Sequence, residues 1–505
     1  MNGLIIGDNF DQTPRTAIGR SNGAHRIASV LRTQNIQVEV LDFFNSWEFD
    51  ELKLFIDCND KFDFLGISLG LSYLDSNKVT QLISYLKIIN SEIKIIAGGS
   101  NVLQNYHQNI DYYFQGFAEG AVNDIVKYLK TGKINPFTVS TIKTHDEKKV
   151  VDCNHHYKIA NLENLKNNYV ITDFIQTNET LTLETGRGCI FKCKFCNFPF
   201  TGKKKDEYIR DKQNIKQELI ENYLNWGTTK YLITDDTFND NPLKVDFLYE
   251  IAQEIDFKLS LMCYARIDLL HHHESQLEKM IDFGIRGCFF GIESLKPQTS
   301  RLIGKGFTGD KLKNYLLKIR NQYPNLHITT SFIVGLPQES LMEFEDNLDW
   351  MIKNKATDTI QIWPLQIPID NNINYLSDFT KDWQKYGYEY MTEDEKNLYT
   401  NIPNLIANLK TNEPLDIKDY SKHRIPWKNK EMNFIQAMEN ASRINRDLRS
   451  FNTLSGWFGF AHSFHTSNLD SFLFAKKTDI DWNVQKSITT NFINDYKSRK
   501  IKRFI

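Results

Sequence analysis

Three cysteines, Cys189, Cys193 and Cys196, fall within eight residues near the middle of the chain. The whole chain has seven cysteines in 505 residues, an odd and low number that argues against a disulfide framework. Three closely spaced thiolates can hold three irons of a 4Fe-4S cluster and leave the fourth iron open. A structural zinc ion is the alternative, but it normally takes a nearby fourth Cys or His, and the next histidine is His271. The spacing therefore favours an iron–sulfur cluster with one reactive iron.

The cysteines directly follow a strand-like run that opens a regular alternation of strand and helix patterns. Strand candidates are 181–184, 231–234, 259–263, 287–291, 328–334 and 359–363, and helical stretches include 215–226, 310–321 and 341–353. About six such units over residues 179–375 predict a partial (β/α)6 barrel, since a full eightfold barrel needs about 250 residues. Active sites of such barrels lie at the carboxyl ends of the strands, which is where the cysteines stand.

At these residues the sequence resembles the radical S-adenosylmethionine (SAM) superfamily, whose signature is C-x3-C-x2-C with an aromatic residue, here Phe195, before the last cysteine. The segments that look like the superfamily's later barrel-rim motifs are 234–238, 265–268, 290–294, 305–306 and 333–337. The resemblance covers roughly residues 179–365. It implies an enzyme whose open iron chelates SAM and whose cluster receives an electron from a donor such as flavodoxin or ferredoxin. Cleavage of SAM then gives a 5'-deoxyadenosyl radical.

The resemblance also assigns expected roles, position by position. Cys189, Cys193 and Cys196 would bind the cluster and act in catalysis, with Phe195 beside it. The SAM contacts would be Thr234, Asp235 and Asp236 at the methionyl amino group, Arg266 at the carboxylate, Glu293 with Ser294 at the ribose end, and the backbone of Val334, Gly335 and Leu336 beside the adenine. An ion pair at the barrel rim is the alternative for Arg266 and Glu293, and simple packing is the alternative for Phe195.

Residues 1–135 show a β-α-β alternation of their own. Strand-like runs at 4–6, 38–41, 64–68, 94–97 and 112–114 are separated by helical patterns at 23–33, 76–89 and 119–128. This order predicts a doubly wound, flavodoxin-like parallel sheet, which binds ligands outside the carboxyl ends of its strands. Ser68, Gly98, Gly99 and Gly116 stand at those ends and are the candidate ligand contacts.

A sheet of this kind ahead of the barrel is similar to the cobalamin-binding members of the superfamily, which implies cobalamin as a further cofactor. The Asp-x-His-x-x-Gly motif that ligates cobalt in the better-known domains is absent, and His25 and His107 are the only histidines in residues 1–135. Members without that histidine leave the lower face of cobalt open. We expect His25, within the first predicted helix, to be a satisfied structural histidine. Glycine at strand ends is also what any doubly wound domain needs for its turns.

The remaining segments indicate organisation more than chemistry. Residues 136–178 read as a connector that can carry a hairpin, and 376–505 as a mainly helical region that shapes the pocket or recognises the substrate. The tryptophans Trp363, Trp383, Trp427 and Trp457 could stack on a flat or apolar molecule or belong to the core. The long turn 7–19, with Thr13, Arg15, Thr16 and the following Arg20, could close over a ligand.

Two charged runs have ordinary explanations. The histidines 271–273 point in different directions around a helix or strand, and the basic tail 497–503 is expected to be solvated, with contact to RNA or anionic lipid as the alternative. The net charge is −2, so neither nucleic acid nor a membrane is indicated as a partner. The start of the chain has no secretory signal pattern, which predicts a cytoplasmic protein.

Taken together, the sequence predicts a radical SAM enzyme, with cobalamin-dependent C-methylation as the leading hypothesis. Radical chemistry without methyl transfer, such as epimerisation, cyclisation or sulfur insertion, is the first alternative. Methylthiolation is disfavoured because the amino-terminal domain lacks the three spread cysteines of a second cluster. A non-catalytic cobalamin or iron–sulfur sensor is the alternative of a different class, and the substrate stays open.

Overall fold

A computed structural model describes residues 1–8, 18–59, 61–69, 74–99, 109–134, 140–144, 146–153, 162, 165–196, 208–369, 377–397, 424–463 and 468–502. The chain divides into two compact units. The first comprises residues 1–182, 202–228 and 481–505, and the second comprises residues 183–201 and 229–480. Among the described residues, we find no helix with the length and apolar character needed to cross a bilayer.

The first unit is built on a seven-stranded sheet in the order β2-β1-β3-β4-β5-β7-β6. Its strands are β1 (Asn2–Ile6), β2 (Gln37–Leu41), β3 (Phe64–Ser68), β4 (Lys94–Gly99), β5 (Tyr112–Gln115), β6 (Ser140–Thr144) and β7 (Asp146–Asp152). All neighbours are parallel except the β6–β7 hairpin. The predicted doubly wound sheet is thus confirmed. The hairpin expected in the connector is present and extends this sheet beside β5.

The first unit contains six α-helices among the described residues, and the last of them ends at Lys502. They are α1 (Asn22–Thr33), α2 (Phe49–Asp57), α3 (Ser76–Ile89), α4 (Val122–Thr131), α5 (Lys212–Trp226) and the C-terminal helix (Trp482–Lys502). The strands between them are almost wholly buried, as is usual for parallel sheets covered on both faces. Helix α2 was not among the predicted elements.

The C-terminal helix is held to the first sheet by its own basic and aromatic residues. Tyr496 Oη accepts a hydrogen bond from the Asp42 backbone N–H and donates to the carbonyl of Val40, both at 3.1 Å. Lys497 pairs with Glu51 at 2.6 Å, and the fully buried Lys500 pairs with Glu39 at 3.1 Å. The expectation of a solvated basic tail is therefore wrong for these two lysines, because they neutralise carboxylates of the first unit.

A buried ionic network fixes the start of α1. Arg20 binds Asp42 at 3.1 Å and Glu179 at 2.7 Å, and His25 Nε2 lies 2.8 Å from the same Asp42 carboxylate. Arg20 is therefore a structural residue and does not face a ligand. His25 is a buried structural histidine, as the sequence predicted, although its Nδ1 has no hydrogen-bond partner among the described residues and lies 3.9 Å from Asp173. Thr13, Arg15, Thr16 and His107 lie outside the described residues.

The second unit carries a six-stranded sheet in the sequential order β13-β12-β11-β10-β9-β8. The strands are β8 (Leu181–Leu183), β9 (Lys230–Ile233), β10 (Ser260–Ala265), β11 (Ile285–Glu293), β12 (His327–Val334) and β13 (Thr359–Pro364). Pairings from β9 to β13 are all parallel. The intervening helices are α6 (Pro242–Glu254), α7 (Ile267–His272), α8 (Glu274–Asp282), α9 (Pro297–Leu302), α10 (Gly309–Gln322) and α11 (Leu341–Lys353). This is the predicted partial barrel of six strands.

The later part of the second unit is mainly helical, as expected beyond residue 376. Its elements are α12 (Asp378–Asp382), α13 (Glu393–Asn397), α14 (Phe434–Asp447), α15 (Gly456–His462), α16 (Asp470–Leu473) and the short antiparallel pair β14 (Glu389–Tyr390) and β15 (Trp427–Lys428). Residues 383–390 do not form one continuous helix, because Gly387 adopts φ 84° between a 3-10 turn and β14. A left-handed residue ends a right-handed helix.

Residues 453–463, here called the basal plug, cover the amino-terminal ends of the barrel strands. His327 Nε2 lies 2.9 Å from Thr453 Oγ1, and Thr359 Oγ1 lies 3.0 Å from the same hydroxyl. Lys230, the first residue of β9, donates to the carbonyl of Ser463. The barrel is thus closed at the end opposite to the cysteine loop.

Candidate functional site

The cysteine loop begins where β8 ends and turns back on itself. The N–H of Cys196 donates to the carbonyl of Cys193 at 3.1 Å, so these two residues share one turn. Cys189 Sγ lies 3.4 Å from Thr237 Oγ1. All three thiols are partly accessible, and the partial burial of Cys189 raises the pKa of its thiol. The predicted cluster ligands therefore stand together on one loop at the barrel rim.

An ionic network at the end of β9 anchors this loop. The carboxylate of Asp235 accepts hydrogen bonds from Thr185 N at 2.8 Å and Thr185 Oγ1 at 2.7 Å. Lys244, fully buried, pairs with Asp235 at 3.0 Å and with Asp240 at 2.6 Å. Of the three residues predicted at the methionyl amino group, Asp235 is thus already engaged with the protein, where it positions the loop.

Thr234 and Asp236, on either side of Asp235, differ from Asp235 in their contacts. Thr234 donates from both its N–H, at 2.9 Å, and its hydroxyl, at 3.3 Å, to the carbonyl of Leu183. The side chain of Asp236 reaches solvent at the rim. Crowding of its carboxylate by protein atoms, together with the negative charge of Asp235, raises the pKa of Asp236 to about 6. Asp236 is therefore the member of this segment that can still meet a ligand.

Arg266 lies between an ion pair and a cysteine. Its guanidinium makes a bidentate pair with Asp268, at 3.0 and 2.7 Å, and its Nη1 lies 3.5 Å from Cys193 Sγ. The same group stacks over the ring of Phe191 at 3.8 Å from the centroid. The ion pair at the barrel rim, which was the alternative explanation for Arg266, is thus present with Asp268. The guanidinium of Arg266 also contacts Cys193 of the cysteine loop.

Glu293 ends β11 in a strained conformation. Its φ is 68°, beside a register shift between Gly291 and Glu293 in the pairing with β12. Lys305 lies 3.3 Å from Glu293 Oε1. A Cβ on Gly291 would lie 2.5 Å from that same oxygen, so the glycine gives the carboxylate its space. Non-glycine residues held in the left-handed region concentrate at functional sites, and the role of Glu293 at the ribose stays a prediction.

The segment of Val334, Gly335 and Leu336 is supported by aromatic residues. Gly335 has φ 96°, and a Cβ there would lie 2.5 Å from Trp427 Cη2. Tyr388 Oη donates to the Gly335 carbonyl at 2.8 Å. Ser294, also predicted to contact the cofactor, is buried and donates to Glu339 at 2.7 Å, so its hydroxyl serves the protein framework.

The tryptophans separate into two groups. Trp383 and Trp427 are buried core residues, whereas Trp363 is 42% exposed and Trp457 packs half-buried on the apolar cluster around Met262 and Phe460. The histidine run does not form a site, since the ring of His271 stacks against Phe307 and Tyr315. In the ranges that the structure covers, no three Cys, His, Asp or Glu side chains already converge as a metal site.

In the first unit, the predicted small residues meet at one edge of the sheet. Strand register pairs Ser68 with Gly98, and Gly99 with Gln115, the residue before Gly116. Gly99 has φ 130° and Gly116 has φ 91°. These conformations suit glycine, and the edge carries no bulky side chain at the four positions. At the carboxyl ends of β3, β4 and β5, these four described positions thus carry only small side chains or none.

Several residues of the site were missed by the sequence reasoning. They are Phe191 and Asp268 around Arg266, Thr237 beside Cys189, Lys244 below the loop, and Glu339 behind Ser294. Asp268 lies within a rim motif that the sequence analysis had singled out, so its spacing from Arg266 was a usable signal. The contacts of Lys244 and Glu339 depend on which strand ends meet in space, and local patterns do not reveal that.

Comparisons with known proteins fit this geometry. Residues 183–351 match the family model of the radical SAM superfamily. An uncharacterized methyltransferase of Pyrococcus horikoshii is 29% identical over 213 residues, covering 40% of this chain and 44% of that protein. A tRNA-2-methylthio-N(6)-dimethylallyladenosine synthase of Buchnera aphidicola subsp. Cinara cedri is 24% identical over 286 residues, covering 53% and 60%. The chain thus spans about half the length of these curated relatives.

Solved structures show the same fold over a longer stretch. TsrM, a radical SAM methyltransferase from Kitasatospora setae solved with cobalamin and a 4Fe-4S cluster bound, superposes with a TM-score of 0.65 at 12% identity, over 98% of this chain and 99% of TsrM. OxsB, a cobalamin-dependent SAM radical enzyme, superposes with a TM-score of 0.57 at 14% identity, over 100% of this chain and 79% of OxsB. Residues 183–351 thus match a radical SAM domain, and the fold of nearly the whole chain is like that of TsrM and OxsB.

Proposed function

We propose that this chain is a cobalamin-dependent radical SAM methyltransferase. The observation that carries the proposal is that one chain combines a three-cysteine loop at a barrel rim with a sheet edge formed by Ser68, Gly98, Gly99 and Gly116. The likeness to TsrM extends over 98% of the chain and so includes both parts. TsrM is itself a methyltransferase solved with cobalamin and the cluster bound.

The cysteine loop has the donor set that a 4Fe-4S cluster requires. Cys189, Cys193 and Cys196 would bind three irons, and the cluster would supply the electron that cleaves SAM. The thiol of Cys189 contacts Thr237, and the thiol of Cys193 contacts Arg266. The guanidinium of Arg266 places a positive charge 3.5 Å from Cys193 Sγ. We propose a flavodoxin or ferredoxin as electron donor, because the reaction needs a low-potential reductant.

Different rim residues of this chain would bind different parts of SAM. Asp236 is accessible for the methionyl amino group, and Arg266 is placed for the carboxylate, while Asp235 and Lys244 hold the loop. Glu293, at the strand bulge and paired with Lys305, would meet the ribose hydroxyls. The backbone of Val334–Leu336, fixed by Trp427 and Tyr388, provides the adenine contact.

The sheet edge of the first unit fits cobalamin by its small residues. When bound, cobalamin would carry the methyl group that is transferred. Gly99 and Gly116 adopt positive φ, so substitution by a larger residue would both strain the backbone and fill the edge. His25 is only 1% exposed and its Nε2 is bonded to Asp42, so its ring does not face a ligand at the sheet edge. The chain would therefore bind cobalamin with no histidine from α1.

Sulfur insertion is the second candidate, because several curated relatives are methylthiotransferases. Residues 1–178 contain only two cysteines, Cys58 and Cys153. Cys153 is buried, and its thiol lies 3.6 Å from the Val151 carbonyl. Two cysteines, one of them in the core, do not supply the three ligands of a second cluster, so methyl transfer is favoured.

Anaerobic reconstitution with iron, sulfide, SAM and a strong reductant tests the proposal. We expect release of 5'-deoxyadenosine or transfer of a labelled methyl group, and loss of that activity in Cys193→Ala. Cys58→Ala is the matched control, because it removes a cysteine outside the loop. Incubation with hydroxocobalamin should give the corrin absorbance of a bound cofactor, and Gly99→Val should abolish it. Absence of corrin binding by the wild-type protein would exclude the methyltransferase proposal.

A further inference from the structure

The interior of the barrel shows a sharp change in hydrogen bonding from one layer to the next. At the lower layer, Thr359 bonds Thr453 and Thr329 Oγ1 accepts the Gly456 N–H at 3.4 Å, so both hydroxyls are satisfied by the basal plug. His327, at the start of β12, also bonds the plug. The polar side chains of this layer therefore have protein partners.

The next side chains on the same strand face lack such partners. Ser331 and Gln361 lie two residues beyond Thr329 and Thr359, and they are paired with each other across β12 and β13. Among the described residues, neither side chain makes a hydrogen bond, and the same holds for the hydroxyl of Tyr264 on β10. Ser331 is only 6% exposed. The polar atoms of these three side chains are not fully excluded from solvent, so they are available to a ligand that enters the barrel.

Aromatic residues lie on the neighbouring strands β10 and β11, where Tyr264 pairs with Phe289 and Phe289 pairs with Thr329 of β12. The rings of Tyr264 and Phe289 lie 4.9 Å apart in a tilted arrangement, and Phe289 packs on the apolar cluster that includes Phe460 of the plug. Trp363, two residues beyond Gln361 on the same face, is 42% exposed at the rim. We call Tyr264, Phe289, Ser331 and Gln361 the luminal patch. It combines flat apolar surface with unpaired hydrogen-bonding groups.

The luminal patch contains no charged side chain, and the ionic groups around it are engaged. Below it, Lys230 donates to Ser463, and toward the rim Arg266 pairs with Asp268 and Glu293 with Lys305. A charged group placed against the patch would lose hydration without gaining a counterion. The chemistry of the patch thus selects for a neutral group.

We infer that the luminal patch binds the planar, uncharged, hydrogen-bonding part of the substrate. This inference rests on the proposed function, which makes the barrel mouth the place of reaction. The aromatic rings of Tyr264 and Phe289 each offer a face or edge for an aromatic contact, and Ser331 and Gln361 provide hydrogen-bond donors and acceptors. The basal plug limits the depth of insertion, so one aromatic group enters from the rim.

Saturation-transfer NMR and calorimetry with small probes test this inference on the reconstituted protein. Benzamide is planar, neutral and has an amide edge, cyclohexanecarboxamide keeps the amide without planarity, and benzoate keeps the ring with a charge. We expect benzamide to bind most tightly. Gln361→Leu and Ser331→Ala should each weaken benzamide by up to about tenfold. Gln384→Leu, at an exposed position, is the matched control and should change nothing.

The outcomes separate this inference from the proposed function. Equal binding of the three probes, or benzamide affinity that is unchanged in Gln361→Leu, Ser331→Ala and Tyr264→Phe, would overturn the inference and would mean that water satisfies the patch. Tyr264→Phe removes only a hydroxyl, so it retains the fold if the other variants do not. Probe binding without any 5'-deoxyadenosine release would leave the patch intact and count against the proposed chemistry alone.

Discussion

The hydroxyl of Ser294 donates a 2.7 Å hydrogen bond to Oε1 of Glu339, and this bond joins the end of β11 to the loop after β12. Two more bonds follow the same seam, from Thr299 Oγ1 to the Pro337 carbonyl at 2.9 Å and from Lys296 Nζ to the Gln338 carbonyl at 2.6 Å. The second oxygen of Glu339 is buried without a partner. The two loops predicted to hold ribose and adenine are thus linked through one under-bonded carboxyl group.

The carboxyl group of Glu339 should make the free energy of unfolding depend on pH. Burial raises the pKa of Glu339 to about 7 from its ordinary value of 4.5. Because the folded state binds the proton more tightly than the unfolded state, the contribution is present below pH 4.5 and is lost as pH rises through 7. We expect Glu339→Gln to reduce the fall in unfolding free energy over this window, where one such group contributes a slope of up to about 1.4 kcal/mol per pH unit. Urea titrations at several pH values measure this.

Glu343→Gln is the control, since its carboxylate is paired with Lys296 and its pKa is lowered to about 2. Its contribution has the opposite sign and is lost only as pH falls below about 4.5. If Glu339→Gln and the wild type have parallel stability curves from pH 4.5 to 7, the carboxyl of Glu339 is not held protonated by burial.

Much of this architecture could be predicted because the relevant signals are local. Strand β3 and helix α11 match their predicted bounds at both ends, since apolar runs and amphipathic periods lie within single segments. The cysteine spacing likewise needs no knowledge of the fold. Ser294 shows where this ends: its type and motif suggested a cofactor contact, but the partner that takes its hydroxyl, Glu339, is 45 residues away.

The position of the C-terminal helix shows the same limit. Its basic residues predicted exposure when taken as a run of charge. Only the fold brings Lys500 to Glu39, 461 positions earlier, and Tyr496 to Asp42. A run of charged residues is solvated unless oppositely charged residues lie near it in the fold. The sequence alone does not show which remote residues lie near it.

The buried cation below the cysteine loop should be essential for stability. Lys244→Met would leave Asp235 and Asp240 buried without their counterion, although a methionine fits the volume. Removing one partner of a buried ionic group typically costs about 3–5 kcal/mol. We expect a loss of this size in urea unfolding, together with poorer iron retention because Asp235 also holds Thr185. Lys318→Met, which breaks an exposed pair with Glu274, should cost less than about 1 kcal/mol.

A comparable loss for the two lysine variants would contradict this account of the loop. An unchanged iron content in a destabilised Lys244→Met protein would separate the two effects and show that Thr185 is held by other contacts.

Gly335 and Trp427 should behave as a coupled pair. Gly335→Ala introduces a Cβ at φ 96° and places it 2.5 Å from Trp427 Cη2, so both backbone strain and overpacking oppose it. We expect a loss of about 2–4 kcal/mol in unfolding free energy. Trp427→Phe removes the clashing atoms, so the double variant should be less destabilised than the sum of the single changes. Strict additivity in this double-mutant cycle would show that the ring does not press on Gly335.

Variants of Arg266 and Asp268 distinguish the two roles considered for the Arg266 guanidinium, which are binding the SAM carboxylate and pairing with Asp268. If it binds the SAM carboxylate, Arg266→Met should weaken SAM by about tenfold or more while iron content stays near the wild-type value, because the three cysteines are intact. Asp268→Asn should have the smaller effect, since it removes the partner at 2.7 Å but keeps the guanidinium near Cys193. Arg301→Met, at an exposed position of α9, is the matched control. SAM binding by calorimetry and iron by colorimetric assay measure both quantities. Unchanged SAM affinity in Arg266→Met would mean that the guanidinium serves only Asp268 and the ring of Phe191, and the carboxylate of SAM would then need another partner at the rim.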